Sequence, residues 1–260
     1  MSSSPDRRAL ARRRTRPAII HCDPHLLVID KPAGVLSVPG RGGQPSIAEL
    51  MRGHEGLPET EPFHTVHRLD QDASGVIIFA RTLEAQRILT KAFGDRRVEK
   101  VYLVLVQGYV MSDGEIDLPL RTDDEGTRAA VAKRDGKASV TRYGISERFP
   151  GHTLLECRPL TGRLHQIRVH LAAVGHPLAV DPIYGGSSAL YLSTFKSGYK
   201  PSRIGDERPL IDRLTLHAAK ITLDHPDGTG PVTFESPLPK DFRATLTQLR
   251  RAGSSAKAQE

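Results

Sequence analysis

Four apolar residues, Leu26 to Ile29, run without a break into Asp30-Lys31-Pro32-Ala33-Gly34, so the pattern predicts a buried strand ending in a polar turn. Residues 45–52 suit a short helix and residues 53–62 a loop rich in glycine, proline and glutamate. Ser74 to Arg81 is dense in Val and Ile without alternation, as in a strand covered on both faces. Thr82 can cap a helix whose Ala85, Ile88, Leu89, Ala92 and Phe93 recur along one buried face before Gly94 ends it. Val98 to Val106 reads as a strand closed by Gly108, and Ser139–Ile145 with Thr153–Cys157 as a hairpin turning at Pro150-Gly151. Leu164, Ile167, Leu171 and Val174 mark a second amphipathic helix, stopped at Gly175 and Pro177. Residues 185–210 lack periodicity and predict a long surface insertion; strands at Leu214–Leu223 and Val232–Glu235 and a closing helix bearing Phe242, Leu246 and Leu249 complete the chain. Strands outnumber helices, and few are separated by a helix long enough for a parallel crossover. The fold class is therefore α+β, a mixed and largely antiparallel sheet with helices packed on it.

Composition narrows the setting. At 260 residues the chain can enclose a substantial core. Its apolar runs fall far short of the roughly 20 residues a membrane-spanning helix needs. Cys22 and Cys157 stand apart in β-prone contexts, which argues against a disulfide framework and a thiolate metal site. The N-terminal arginines precede no apolar stretch, so a cytoplasmic address is expected. The net charge of +7 is concentrated: Arg7, Arg8, Arg12, Arg13, Arg14 and Arg16 face only Asp6 in the first 20 residues, leaving +2 for the rest. We expect a basic flexible tail over 1–17, one domain over 18–252 and a flexible tail over 253–260. The first tail either adds salt-sensitive phosphate contacts or simply keeps the protein soluble.

Three stretches gather polar groups where the pattern is otherwise apolar: His67-Arg68-Leu69-Asp70, Lys100-Val101-Tyr102, and Thr161 to Arg168. Each lies at the mouth of an element, where loops hold functional groups on a rigid scaffold. Asp70 is either a reactive carboxylate at the edge of a core or the cap of the turn leading into Ser74-Gly75. Arg168 borders the apolar stripe of its helix, so its guanidinium either meets a carboxylate or extends to water along a packed stem. An arginine beside an aspartate favours the ionised acid that a nucleophile requires. His64, His67, Asp70 and Asp72 also cluster in sequence, but no paired-histidine spacing supports a metal there, and His165 and His170 are spaced to diverge.

Taken together, these stretches resemble the RluA family of pseudouridine synthases, with several motifs in the family's order. Asp30-Lys31-Pro32-Ala33-Gly34 is similar to the opening turn, His67-Arg68-Leu69-Asp70 with Ser74-Gly75 to the signature loop, and Lys100-Val101-Tyr102 to the lysine-x-tyrosine strand. Gly162 to Leu171, Gly175-His176-Pro177, Asp181-Pro182-Ile183-Tyr184-Gly185, Leu216-His217-Ala218 and His225-Pro226 continue the match, which runs from about residue 20 to about residue 250. Ala73 and Gln71 depart from it, standing where a threonine and a basic residue are usual.

The resemblance implies an enzyme that isomerises uridines of ribosomal or transfer RNA. In it Asp70, Tyr102 and Arg168 would be catalytic, Arg168 keeping the Asp70 carboxylate charged, and Arg68, Arg163 and His165 would contact RNA. It implies no cofactor and no metal, a monomer, and target selection without the small RNA-binding domain that many relatives carry before the catalytic one. Two other classes remain at this point: a catalytically silent RNA-binding module, and a metal-dependent phosphohydrolase built on His64, His67 and Asp70.

Overall fold

The computed structural model describes residues 17–40, 44–54, 56–196, 198–199 and 207–257. The expected basic tail, up to Arg16, and the last three residues of the expected C-terminal tail lie outside them. The chain forms two compact units, Met1–Val98 with Lys220–Ser236, and Glu99–Ala219 with Pro237–Glu260.

The first unit carries strands β1 (Ala18–Cys22), β2 (Leu26–Lys31), β3 (His64–Thr65) and β4 (Ser74–Ala80), the end of β11 (Leu216–Asp224), and β12 (Pro231–Glu235). Strand β2 pairs antiparallel with β1 and β4, β3 with β4, and β12 with β11. All seven residues of β4 are buried, which explains why the segment does not alternate. Helix α1 (Ile47–Met51) starts at a reciprocal cap: the Ser46 hydroxyl accepts from the Glu49 backbone N–H, and the Glu49 carboxylate accepts from that of Ser46. Helix α2 (Leu83–Gly94) is capped by the Thr82 hydroxyl and lays Ala85, Leu89 and Ala92 against Leu26, Val28, Val76 and Ile78. Ile88, expected in that face, is 39% exposed. The left-handed position after the helix falls to Arg96 (φ 60°), two residues beyond Gly94.

The second unit is built on β5 (Glu99–Gln107), β6 (Gly114–Asp117), β9 (Val140–Phe149) and β10 (His152–Pro159), with β10 antiparallel to β5 and β9, and β9 to β6. The β9–β10 turn falls at Pro150-Gly151 as the sequence predicts. Proline presets the first corner and Gly151 takes φ 69°, a combination suited to a type II turn. A separate two-stranded ribbon, β7 (Leu120–Thr122) with β8 (Ala129–Val131), has no hydrophobic run long enough to announce it.

Helix α3 (Gln166–Ala173) departs from the amphipathic expectation: every residue from Gln166 to Leu171 is buried, while Leu164 precedes the helix and Val174 follows it, 41% exposed. Helix α4 (Lys240–Lys257) buries Phe242, Leu246 and Leu249 against Leu105, Phe149 and Leu154. It runs five residues past the boundary expected at 252, into the segment where the sequence predicts a flexible tail. Nor does the 185–210 segment lie wholly on the surface, because Leu190 is buried and its backbone N–H donates to Ile211.

Candidate active site

In the first unit, Asp70 occupies the loop between β3 and β4, half-buried, with Arg68 exposed two residues before it. Both flanks of Asp70 are clamped through backbone atoms. On one side the Ser37 hydroxyl donates to the Leu69 carbonyl (2.7 Å) and accepts from the Leu69 N–H (3.0 Å). On the other, the Lys31 ammonium donates to the carbonyls of Gln71 (2.8 Å) and Ala73 (2.7 Å) and also to that of Pro32 (3.1 Å). Lys31 is fully buried, so these carbonyls stand in for the water its charge has lost. The Gly34 N–H adds a bond to the Gln71 carbonyl (2.9 Å), and the Ala73 N–H closes a turn on the Asp70 carbonyl (3.2 Å). Gly75 follows at φ 116°, a conformation that glycine adopts without a Cβ clash, which lets the loop turn directly into β4.

The Asp70 carbonyl closes a backbone turn onto Ala73, and its carboxyl is carried by a loop fixed on both sides. The clamp residues Lys31 and Ser37 are not among the site residues that the sequence suggests. A lysine next to Pro-Ala-Gly reads as a solvated turn, and only its packing shows that it is buried.

His67, counted among the metal candidates, has a structural use: its Nε2 accepts the Ile78 N–H at 2.9 Å and its ring stacks on Phe93. Among the described residues no group of three His, Cys, Asp or Glu side chains is arranged to hold a metal ion.

The second unit holds the remaining predicted residues. Tyr102 lies half-buried on β5 opposite Cys157. Two residues earlier on the same strand, burial holds the Lys100 ammonium below the usual lysine range.

Arg168, on α3, is buried and forked onto Asp181, Nε to Oδ2 at 2.7 Å and Nη2 to Oδ1 at 2.8 Å. Of the two readings of this arginine, the carboxylate partner is the one observed, and within this unit it is Asp181. Asp181 is completely buried and also accepts the backbone N–H groups of Ile183 (3.0 Å) and Tyr184 (3.3 Å). The Arg168 guanidinium lies 5.0 Å over the Tyr184 ring.

Gln166 organises the loop that leads into α3. Its side-chain oxygen accepts from the Thr161 hydroxyl (2.7 Å) and the Arg163 N–H (3.0 Å), while its amide donates to the Val140 carbonyl (2.9 Å). Arg163 is thereby held exposed at the loop's surface. His165 is half-buried at the helix N-cap, with Nδ1 2.9 Å from the Tyr184 hydroxyl. His170, by contrast, is fully buried, bridging the Thr141 hydroxyl and the Leu118 carbonyl at 2.9 Å each. Burial pushes its pKa down. Arg163, His165 and Arg168 are thus assembled on one loop and helix start, whereas Asp70 and Arg68 belong to the first unit.

The RNA pseudouridylate synthase family profile matches residues 25–173, and the chain belongs to that family, among its RluA-type isomerases. It is 37% identical over 244 residues to the ribosomal large subunit pseudouridine synthase D of Xanthomonas campestris pv. campestris, a match covering 93% of this chain and 71% of the relative. To the ribosomal large subunit pseudouridine synthase C of Escherichia coli strain K12 it is 36% identical over 238 residues, covering 90% and 70%. The solved structure of human RNA pseudouridylate synthase domain containing 4 superposes with a TM-score of 0.67 at 27% identity, covering 94% of this chain and 96% of that one.

Proposed function

We propose that this isomerase acts on uridines of large-subunit ribosomal RNA, with Asp70 as the catalytic carboxylate. The observation that carries the role of Asp70 is the two-sided backbone clamp, which fixes the loop that bears this half-buried carboxylate. Rigid placement of a reacting group is a large part of what an active site contributes. Asp70 starts cleavage of the N-glycosidic bond as nucleophile or base, the uracil turns, and a carbon of the base rejoins the ribose, giving up its proton while the freed ring nitrogen gains one. The bond broken and the bond formed both use the substrate's own atoms, so no cofactor is called for. Tyr102 offers an aromatic face to the base, and Arg168 supplies fixed positive charge. Arg68, Arg163 and His165 supply donors for phosphates and base edges. The target uridine leaves its stack to be reached, at least cost where it is already unpaired.

The names of the bacterial relatives support ribosomal over transfer RNA as the substrate, and we expect the enzyme to act as a monomer in the cytoplasm. Comparing pseudouridines in the RNA of cells with and without the protein tests the assignment. Loss of discrete sites in large-subunit ribosomal RNA is expected. An unchanged ribosomal pattern with sites lost from transfer RNA would overturn it.

A further inference from the structure

Tyr184 touches several of the groups that gather in the second unit. Its hydroxyl accepts the backbone N–H of Ala129 in β8 at 2.9 Å and lies 2.9 Å from Nδ1 of His165. Its ring meets the imidazole edge-on, 5.6 Å between centroids at 77°, and the Arg168 guanidinium lies 5.0 Å over its face. The phenol is thus braced by a backbone donor and a stacked cation.

His165 is the unusual member of the group. It stands at the N-cap of α3 in the left-handed region (φ 51°, ψ 23°), and its side chain makes no capping bond to the helix. Residues other than glycine adopt such a backbone uncommonly, histidine more readily than most, and positions of this kind collect at functional sites. The imidazole, half-buried and bonded through Nδ1, is turned away from the job an N-cap side chain ordinarily does.

We propose that Tyr184 is a positioning residue for substrate engagement, its hydroxyl setting the His165 ring in the orientation that meets RNA. Fixing one ring nitrogen determines where the other points and which protonation form it presents. This inference rests on the reading of His165 as an RNA contact. It adds Tyr184 as the group through which that contact is set.

A double-mutant cycle on the full chain, assayed with an unmodified large-subunit ribosomal RNA transcript, tests it. Tyr184→Phe keeps the ring beneath Arg168 and removes only the hydroxyl. It should raise KM by about fivefold to tenfold, the scale of one hydrogen bond, while kcat changes by less than about twofold. His165→Ala should raise KM at least as much, and the double variant should be no worse than His165→Ala alone. Additive effects would overturn the inference, because the two side chains would then act independently. A lower melting temperature in Tyr184→Phe with an unchanged KM would overturn it as well, leaving the tyrosine as a brace for β8. A wild-type KM in His165→Ala would overturn the RNA-contact reading of His165 together with the inference built on it.

Discussion

At the scale of single residues, a buried ammonium and a buried guanidinium hold the two halves of the candidate chemistry in place. Lys31 binds three carbonyls around the Asp70 loop. In Lys31→Met those carbonyls lose the ammonium, the Gln71 carbonyl keeping only its bond from the Gly34 N–H, and a buried acceptor left unpaired costs about 1–3 kcal/mol. We therefore expect denaturant unfolding to show a stability lower by at least about 2 kcal/mol, with kcat falling more than RNA affinity. A variant as stable and active as wild type would show that the loop holds itself. Arg168→Ala strands the completely buried Asp181 and should cost about 3–5 kcal/mol. Arg168→Lys should recover only part of that, since a lysine cannot reproduce the two-pronged contact; full recovery would show that charge alone suffices. Asp70 and Arg168 are both visible in the sequence because each sits oddly against its apolar surroundings. Asp181 is visible there only as part of a motif, because nothing in a loop of Asp-Pro-Ile-Tyr-Gly says that the carboxylate turns inward.

At the scale of elements, the strands with strong Val/Ile patterns, the Pro-Gly hairpin turn and the capped helix α2 follow from local rules. What local rules miss is set by tertiary packing. Helix α3 is enclosed on nearly all sides, so its polar residues are buried partners instead of a solvated face. The ribbon β7–β8 owes its place to Leu120 and Ala129 packing on Val169, which brings together segments far apart in sequence. A second long-range tie joins the β1–β2 turn to the β11–β12 turn. The His225 ring bonds Asp23 through Nε2 (3.0 Å) and Asp227 through Nδ1 (2.7 Å), and His21 also bonds Asp23.

Partial burial works against the charged form of His225, but the bonds to Asp227 and Asp23 outweigh it and raise its pKa. Bonds from the Thr229 hydroxyl and backbone, with a further one from His225, hold Asp227 down to about 2. The raised histidine stabilises the fold fully below its unfolded value near 6.5, and that contribution fades as pH rises through the higher folded value. The lowered aspartate contributes above its unfolded value near 3.9 and loses that contribution as acid approaches 2. Melting temperatures of His225→Gln and wild type should therefore differ most below the histidine's unfolded value near 6.5 and converge as pH rises through its raised folded value. A constant difference across that range would show that the tie does not depend on the histidine's charge.

At the scale of the whole molecule, most of the excess charge lies in the arginines up to Arg16, outside the described residues, and Asp70, Tyr102 and Arg168, the residues proposed for catalysis, all lie beyond position 66. Removing residues 1–16 should weaken RNA binding and make it less sensitive to salt. Every phosphate that the shortened protein no longer neutralises lowers the magnitude of the log-log salt slope by about 0.7 to 0.9, while the rate for bound substrate is retained. An unchanged slope would assign those arginines to solubility alone.

The role proposed for Asp70 is the conversion of uridine to pseudouridine in large-subunit ribosomal RNA. It is tested most directly by incubating purified wild type and Asp70→Asn with unmodified ribosomal RNA and mapping pseudouridine at single-nucleotide resolution. Wild type should modify discrete uridines. Asp70→Asn, folded and still binding RNA, should retain less than about one per cent of the rate, a loss near 3 kcal/mol of transition-state stabilisation. Turnover by Asp70→Asn at a substantial fraction of the wild-type rate would contradict the assignment.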